Sequence, residues 1–307
     1  MSDDLTRKYG ETAIETGRRL QPASFNRRLG LRDSLDQNFT KLWLDFGMAG
    51  RAQRKVLDER TRMLVLIGQF TMTRSQGFLE DAIRSALAAR IAPREVLEVI
   101  LQCAVYGGNN ALDPALELFG RIAEELGLME ELRRSQTPID GRDATRSAEE
   151  ERRRWHPDDQ QDPRAEQLAA RHGWLGISSG LLVRPREHLN VLSYIDAMDP
   201  EFAVLWERYT YQGMYGRGVL DDRTRILCII GNCVAIGETI QVRNHMRSAL
   251  GAGASPREVL EVIFQSCIHF GMPATMGALG ILYGVIRDEG RLSEIGDPPF
   301  PQREHGR

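Results

Sequence analysis

The run Leu220–Gly231, LDDRTRILCIIG, decides the fold, because the chain contains it twice. At an offset of 163 residues it meets Leu57–Gly68, LDERTRMLVLIG, without a gap. RSAL then recurs at 84 and 247, and PREVLEVI at 93 and 256. Between 57–112 and 220–275, 24 of 56 positions are identical, more than shared helical composition produces, so the chain carries an internal duplication. Weaker pairs reach upstream at the same offset: Phe39, Leu42 and Trp43 match Phe202, Leu205 and Trp206. Each unit therefore begins before its best-matched block.

Working outward from Leu220, the local signals are all helical. Asp221 stands at an N-cap, before a body, ILCIIGNCVAI, that is apolar nearly all round and must be buried on most sides. A second helix runs from about Glu238 to Leu250 and is closed by the glycines of LGAGAS. Ser255-Pro256-Arg257-Glu258 then supplies a capping box with Pro at the first helical position. The helix it opens puts Val259, Ile263, Cys267 and Phe270 on one face, and Pro273, after Gly271, starts a last helix. Unit one repeats this order, with Ala92 in place of the capping serine. No run alternates as a half-buried strand does, and the spacing stays near 3.6, so the fold class is all-α with two tandem helical units.

The 307 residues fit two domains. The expected organisation is a first domain at 1–137, a charged solvated linker at 138–165, a second domain at 166–295 and a flexible tail at 296–307. Forty basic against 43 acidic side chains give a net charge of -3, so no global basic field gathers nucleic acid or an anionic membrane. The first residues lack a signal-peptide core and no long apolar span follows, which points to the cytoplasm and to no membrane partner. Cys103, Cys228, Cys233 and Cys267 are too few and too irregular for a disulfide framework.

The run LDxRTRxLxxIG, the helix ending NHMRSAL and the segment PREVLEVIFQSCIHFGMPA closely resemble the carboxymuconolactone decarboxylase family, which includes the alkylhydroperoxidase D-like proteins. The resemblance covers about 57–122 and 220–286. It implies an all-helical fold and a homo-oligomer, in which a trimer of this fused pair would form a six-domain ring. The peroxidase-like branch uses a Cys-x-x-Cys followed four residues later by His. Here the His position is His245, but the thiol positions hold Glu238 and Gln241, and unit one has Ser75, Phe78 and Ala82 there. The resemblance is thus nearer the decarboxylase branch. It implies a cofactor-independent lyase, with no metal, acting on a small cyclic or lactone carboxylic acid. Thiol-dependent peroxide reduction and non-catalytic ligand binding are the alternatives.

Glu238, Gln241 and His245 fall at i, i+3 and i+7, which puts a carboxylate, an amide and an imidazole on one helix face. His245 is the expected general acid/base, since an imidazole titrates near neutrality; a histidine hydrogen-bonded at a domain interface is the bland alternative. Glu238 reads as a second acid/base or as a helix N-terminal charge. His269, where family members often carry Tyr as at Tyr106, lines the same pocket or packs at an interface. Arg225 and Arg247 are candidate substrate ligands, yet both recur as Arg62 and Arg84, which favours salt bridging between helices. Gln265 and Gln102 stand where the family's decarboxylases commonly have His. Unit one, with Ala82 and Asn109-Asn110 in place of His245 and Met272-Pro273, reads as a degenerate half.

Overall fold

A computed structural model describes residues 2–137 and 147–296, which are helical with no strand among the described residues. The duplication reaches further than the sequence match. Helices Glu11–Leu20, Phe25–Leu35 and Gln37–Leu44 have counterparts at Trp174–Val183, His188–Met198 and Pro200–Glu207, each starting 163 residues later. A π-helical turn follows in both halves, Asp45–Ala49 and Arg208–Met214. Then come the matched cores: Glu59–Met72, Gln76–Ala88, Pro93–Gln102 and Ala104–Glu125 against Asp222–Ile236, Thr239–Gly251 and Pro256–Asp288.

The caps fall where the side chains dictate. Asp58 and Asp221 accept from the backbone N–H of Thr61 and Thr224 at 2.7 and 2.8 Å. Ser255 and Glu258 close a capping box, whereas Ala92 leaves its helix without a side-chain cap. Gly271 (φ 80°) breaks Pro256–Asp288, and Gly108 (φ 57°) breaks the counterpart helix at the equivalent residue. Positive φ is accessible to glycine at little steric cost. Pro256–Asp288 is long and apolar enough to cross a membrane by length and composition. The break at Gly271 leaves two arms, each shorter than the roughly 20 residues a span requires.

The two halves share one apolar core, built where Glu59–Met72 crosses Asp222–Ile236. The crossing is close because both helices present glycine there. A Cβ on Gly231 would lie 2.7 Å from Val65, and one on Gly68 would strike the Asn232 amide. Gln69 spans the crossing, donating to Ser266 Oγ at 2.5 Å and to the Gly231 carbonyl at 3.3 Å. Two buried ion pairs flank it reciprocally. Arg62 faces Glu261 at 3.6 Å, and Arg225 faces Glu98 at 2.8 Å. Arg54 and Arg217, also equivalent, add Nε contacts to the same carboxylates at 2.7 and 2.9 Å.

The solvated linker expected at 138–165 is corrected over its described part. Residues 138–146 lie outside the described residues, but Ala148–Arg152 and Pro157–Gln160 are helical. Trp155 is 2% exposed, packs in a small second core with Ile177, Leu181 and Leu192, and donates to Ser178 Oγ at 3.1 Å. Ser178 also donates to Glu151 at 2.7 Å and the Arg186 N–H to Asp159 at 2.8 Å, so polar contacts join Trp155 in anchoring the segment. Of the expected tail at 296–307, all but residue 296 lies outside the described residues.

Candidate active site

His245 sits on the second turn of Thr239–Gly251 and is 1% exposed. Its Nε2 lies 2.9 Å from Tyr106 Oη, and Tyr106 Oη lies 2.7 Å from Tyr215 Oη. The three side chains come from three segments: the helix of His245, the start of Ala104–Glu125 in the first repeat, and the turn Tyr215–Arg217 after the second π-helical turn. Tyr211 packs at a tilt against Tyr215, with centroids 5.6 Å apart.

Burial sets the protonation of this chain of groups. Removal from water pushes His245 down to about 3, the Arg184 cation works in the same direction, and the Val183 carbonyl opposes them weakly. The imidazole is therefore neutral at neutral pH, which corrects the expectation that it titrates there. Burial also raises Tyr106 well above its usual value and raises Tyr215 and Tyr211, so all three phenols keep their protons. His245 Nδ1 has no partner in hydrogen-bonding geometry. The result is a neutral, hydrogen-bonded relay, Tyr215–Tyr106–His245, next to a guanidinium.

The remaining sequence candidates divide. Gln241 is half-buried one turn before His245, and its N–H is turned to Glu238. Glu238 is the N-cap of the helix; its carboxylate accepts from the N–H of Ile240 at 2.9 Å and of Gln241 at 3.3 Å. That geometry is the helix-terminal reading of Glu238, with the side chain turned back on the backbone. Arg225 is 1% exposed and committed to Glu98 and Gln102. Arg247 faces Asp288 and Glu289 at 3.9 and 3.8 Å, as Arg84 faces Glu125, so both recurrent arginines tie helices together. Arg225 is corrected as a substrate ligand, because Glu98 already neutralises its charge; Arg247 makes no hydrogen bond to its carboxylates, and its Nε has no partner.

His269 does not share a pocket with His245. It packs edge-on against Phe70 and Phe78, with centroids 4.8 and 5.5 Å away. Burial, with the charges of Arg51 and Arg28, pushes it down to about 3. Tyr106 and His269 are equivalent residues, and each reaches the environment of the other repeat. Ala82 replaces His245 there, and Phe70 and Phe78 occupy the space. Sequence reasoning therefore missed Tyr106, Tyr215 and Arg184 as neighbours of His245. The pairing of Tyr106 with His269 at offset 163 was the signal for the first; nothing local marked the other two.

Two of the four cysteines, Cys228 and Cys233, stay out of this chemistry. Cys228 and Cys233 are buried, unpaired and pushed up to about 12 by burial. Such thiols are poor nucleophiles at neutral pH.

Residues 200–283 match the carboxymuconolactone decarboxylase family profile. An uncharacterized 15.0 kDa protein in the nqo9-nqo10 intergenic region of Paracoccus denitrificans is 40% identical over 77 residues, 24% of this chain and 58% of that protein. The chain thus spans little more than half of that relative's length. A 4-carboxymuconolactone decarboxylase of Acinetobacter baylyi is 26% identical over 120 residues, covering 39% of this chain and 90% of the enzyme. The all-helical architecture agrees with that family.

Proposed function

We propose that the chain is a tandem pair of carboxymuconolactone decarboxylase-like domains and acts as a cofactor-independent lyase on a small cyclic or lactone carboxylic acid. The observation that carries this reading is the relay Tyr215–Tyr106–His245, assembled from both repeats beside Arg184. In the reaction, the bond from the substrate carbon to its carboxylate breaks and carbon dioxide leaves. The electron pair stays on that carbon and delocalises as an enolate. Arg184 holds the remaining negative charge. Tyr106, which keeps its phenolic proton at neutral pH, delivers that proton to the carbon, and Tyr215 and His245 steady the phenolate until solvent reprotonates it. His245 thus acts as a neutral hydrogen-bond partner, not as an imidazolium. Its helix lies in the half that matches the family profile, whereas the first repeat supplies the tyrosine and carries Ala82 at the position of the histidine.

The test is ultraviolet monitoring of 4-carboxymuconolactone and related lactones with wild type, His245→Ala and Tyr106→Phe. Loss of Tyr106 or His245 should lower kcat on the order of a hundredfold, the usual scale of acid/base assistance. Equal rates in all three proteins would remove the relay from the mechanism.

Assembly into a homo-oligomer in the cytoplasm belongs to the same proposal. Leu31, Leu35, Phe39, Leu42 and Phe46 are exposed, and so are their equivalents Tyr194, Met198, Phe202, Leu205 and Tyr209. An apolar face exposed at matching positions of both repeats suits repeated contacts between copies, as in a ring of three chains. Light scattering of wild type against Leu42→Arg/Leu205→Arg tests it: the double variant should lose mass, and an already monomeric wild type sinks the idea.

A further inference from the structure

An open cavity lies between elements of both repeats, away from the His245 site. About 700 Å³ lies between the π-helical turn Asp45–Ala49, the residues just after it, and the helix Pro256–Asp288 on both sides of Gly271. That volume accommodates a small organic ligand. Its walls include Phe46, Phe264, Ile268, Met272, Met276 and Leu279. Methionines on the rim allow the wall to adapt to an apolar body.

The polar groups in this cavity are not satisfied by the protein. Gln265 is 6% exposed and lines the cavity, yet neither its Oε1 nor its Nε2 has a hydrogen-bond partner. A buried amide left in that state costs free energy unless something else completes it. Arg51 lines the same space, and its Nε and Nη2 are buried without partners. The other charges nearby are spoken for. Glu261 is held by Arg54 and Arg62, and Asp45 by Lys41 at 2.9 Å. A guanidinium with unpartnered nitrogens, an amide without partners and an apolar wall remain.

We propose that this cavity binds an apolar monocarboxylate, its carboxylate accepting from Arg51 and from Gln265 Nε2 and its hydrocarbon body lying against Phe264, Ile268 and Met276. A forked guanidinium with unsatisfied donors suits a carboxylate, and the apolar walls suit a hydrocarbon body. The site is separate from the relay: none of Tyr106, Tyr215 and His245 lines it. The ligand thus bridges elements from both repeats.

Calorimetric titration of the full chain with octanoate, and with octan-1-ol as the uncharged control, tests this. Octanoate should bind about tenfold tighter than octan-1-ol or better, the scale of a charge-assisted pair. Arg51→Met and Gln265→Leu should each weaken octanoate about fivefold or more while leaving octan-1-ol within about twofold. Met276→Trp, a change at an exposed rim position, should fill the cavity and weaken both ligands, which keeps the test decisive if a buried variant fails to fold. His245→Ala should leave octanoate binding unchanged, so the outcome is independent of whether the relay is catalytic. Equal affinity for acid and alcohol, no binding to the folded wild type, or loss of octanoate only in His245→Ala would each overturn the proposal.

Discussion

At the residue scale, the decisive change is the state of the histidines. His245 and His269 are both pushed down to about 3, first by burial. Between about pH 3 and the unfolded value near 6.5, the unfolded chain therefore binds more protons than the folded one. Stability is complete above that window and falls as the pH drops through it, by at most about 1.4 kcal/mol per pH unit for each histidine. The melting temperature should accordingly decline between pH 7 and pH 4.5. His269→Phe, which suits the Phe70–Phe78 surroundings, should make that decline shallower. An unchanged slope would mean that His269 is not held neutral. The importance of His245 was legible from its place in the motif; its protonation was not, since burial depends on Tyr106, distant in sequence, and on the second repeat closing over it. The same limit misled the reading of the helix face. Glu238, Gln241 and His245 do share a face by spacing, but the first residue of that face is also the N-cap, and there the backbone N–H groups compete for the carboxylate.

At the scale of elements, the two repeats provide an internal control on backbone strain. Arg74 (φ 54°) and Arg90 (φ 61°) adopt left-handed conformations where the second repeat has Gly237 (φ 73°) and Gly253 (φ 89°). A side chain pays roughly 1–2 kcal/mol there, and glycine does not. Arg74→Gly should therefore raise the unfolding free energy by about 1 kcal/mol, and Gly237→Arg should lower it by a similar amount. Urea denaturation of the two variants checks both signs; a loss on Arg74→Gly would show that the arginine contributes contacts worth more than the strain. The same comparison applies to the caps. Ala92→Ser places a hydroxyl where Ser255 already accepts from Glu258 N–H, and should gain on the order of 0.5–1 kcal/mol. Helix starts, ends and the break at Gly271 were readable because Asp, Ser-Pro, and Gly act within a few residues. The fold of 147–165 was not, because its anchors, the contact of Trp155 among them, are made with residues that follow it.

At the scale of the whole molecule, what holds the halves together is a crossing of two glycine-bearing helices flanked by exchanged ion pairs. Arg62 of the first repeat meets Glu261 of the second, and Arg225 of the second meets Glu98 of the first. Recurrence of the arginines was visible in the sequence. That each one pairs across the repeat boundary was not, because identical motifs leave open whether a charge is answered within its own copy or by the other. Exchange makes the repeats interdependent, since separating them strands buried charges on both sides. Arg225→Met should thus destabilise the chain by about 3 kcal/mol or more, the scale of leaving a buried carboxylate short of its partner. Arg217 still touches Glu98, so the loss is partial rather than complete. Adding Glu98→Leu removes the stranded charge, and the double variant should be less destabilised than the sum of the two single changes by at least about 1 kcal/mol. Denaturant unfolding of the four proteins closes the cycle. Strict additivity would mean that the arginine and the glutamate act separately, and that apolar packing at the Gly68–Gly231 crossing alone joins the repeats.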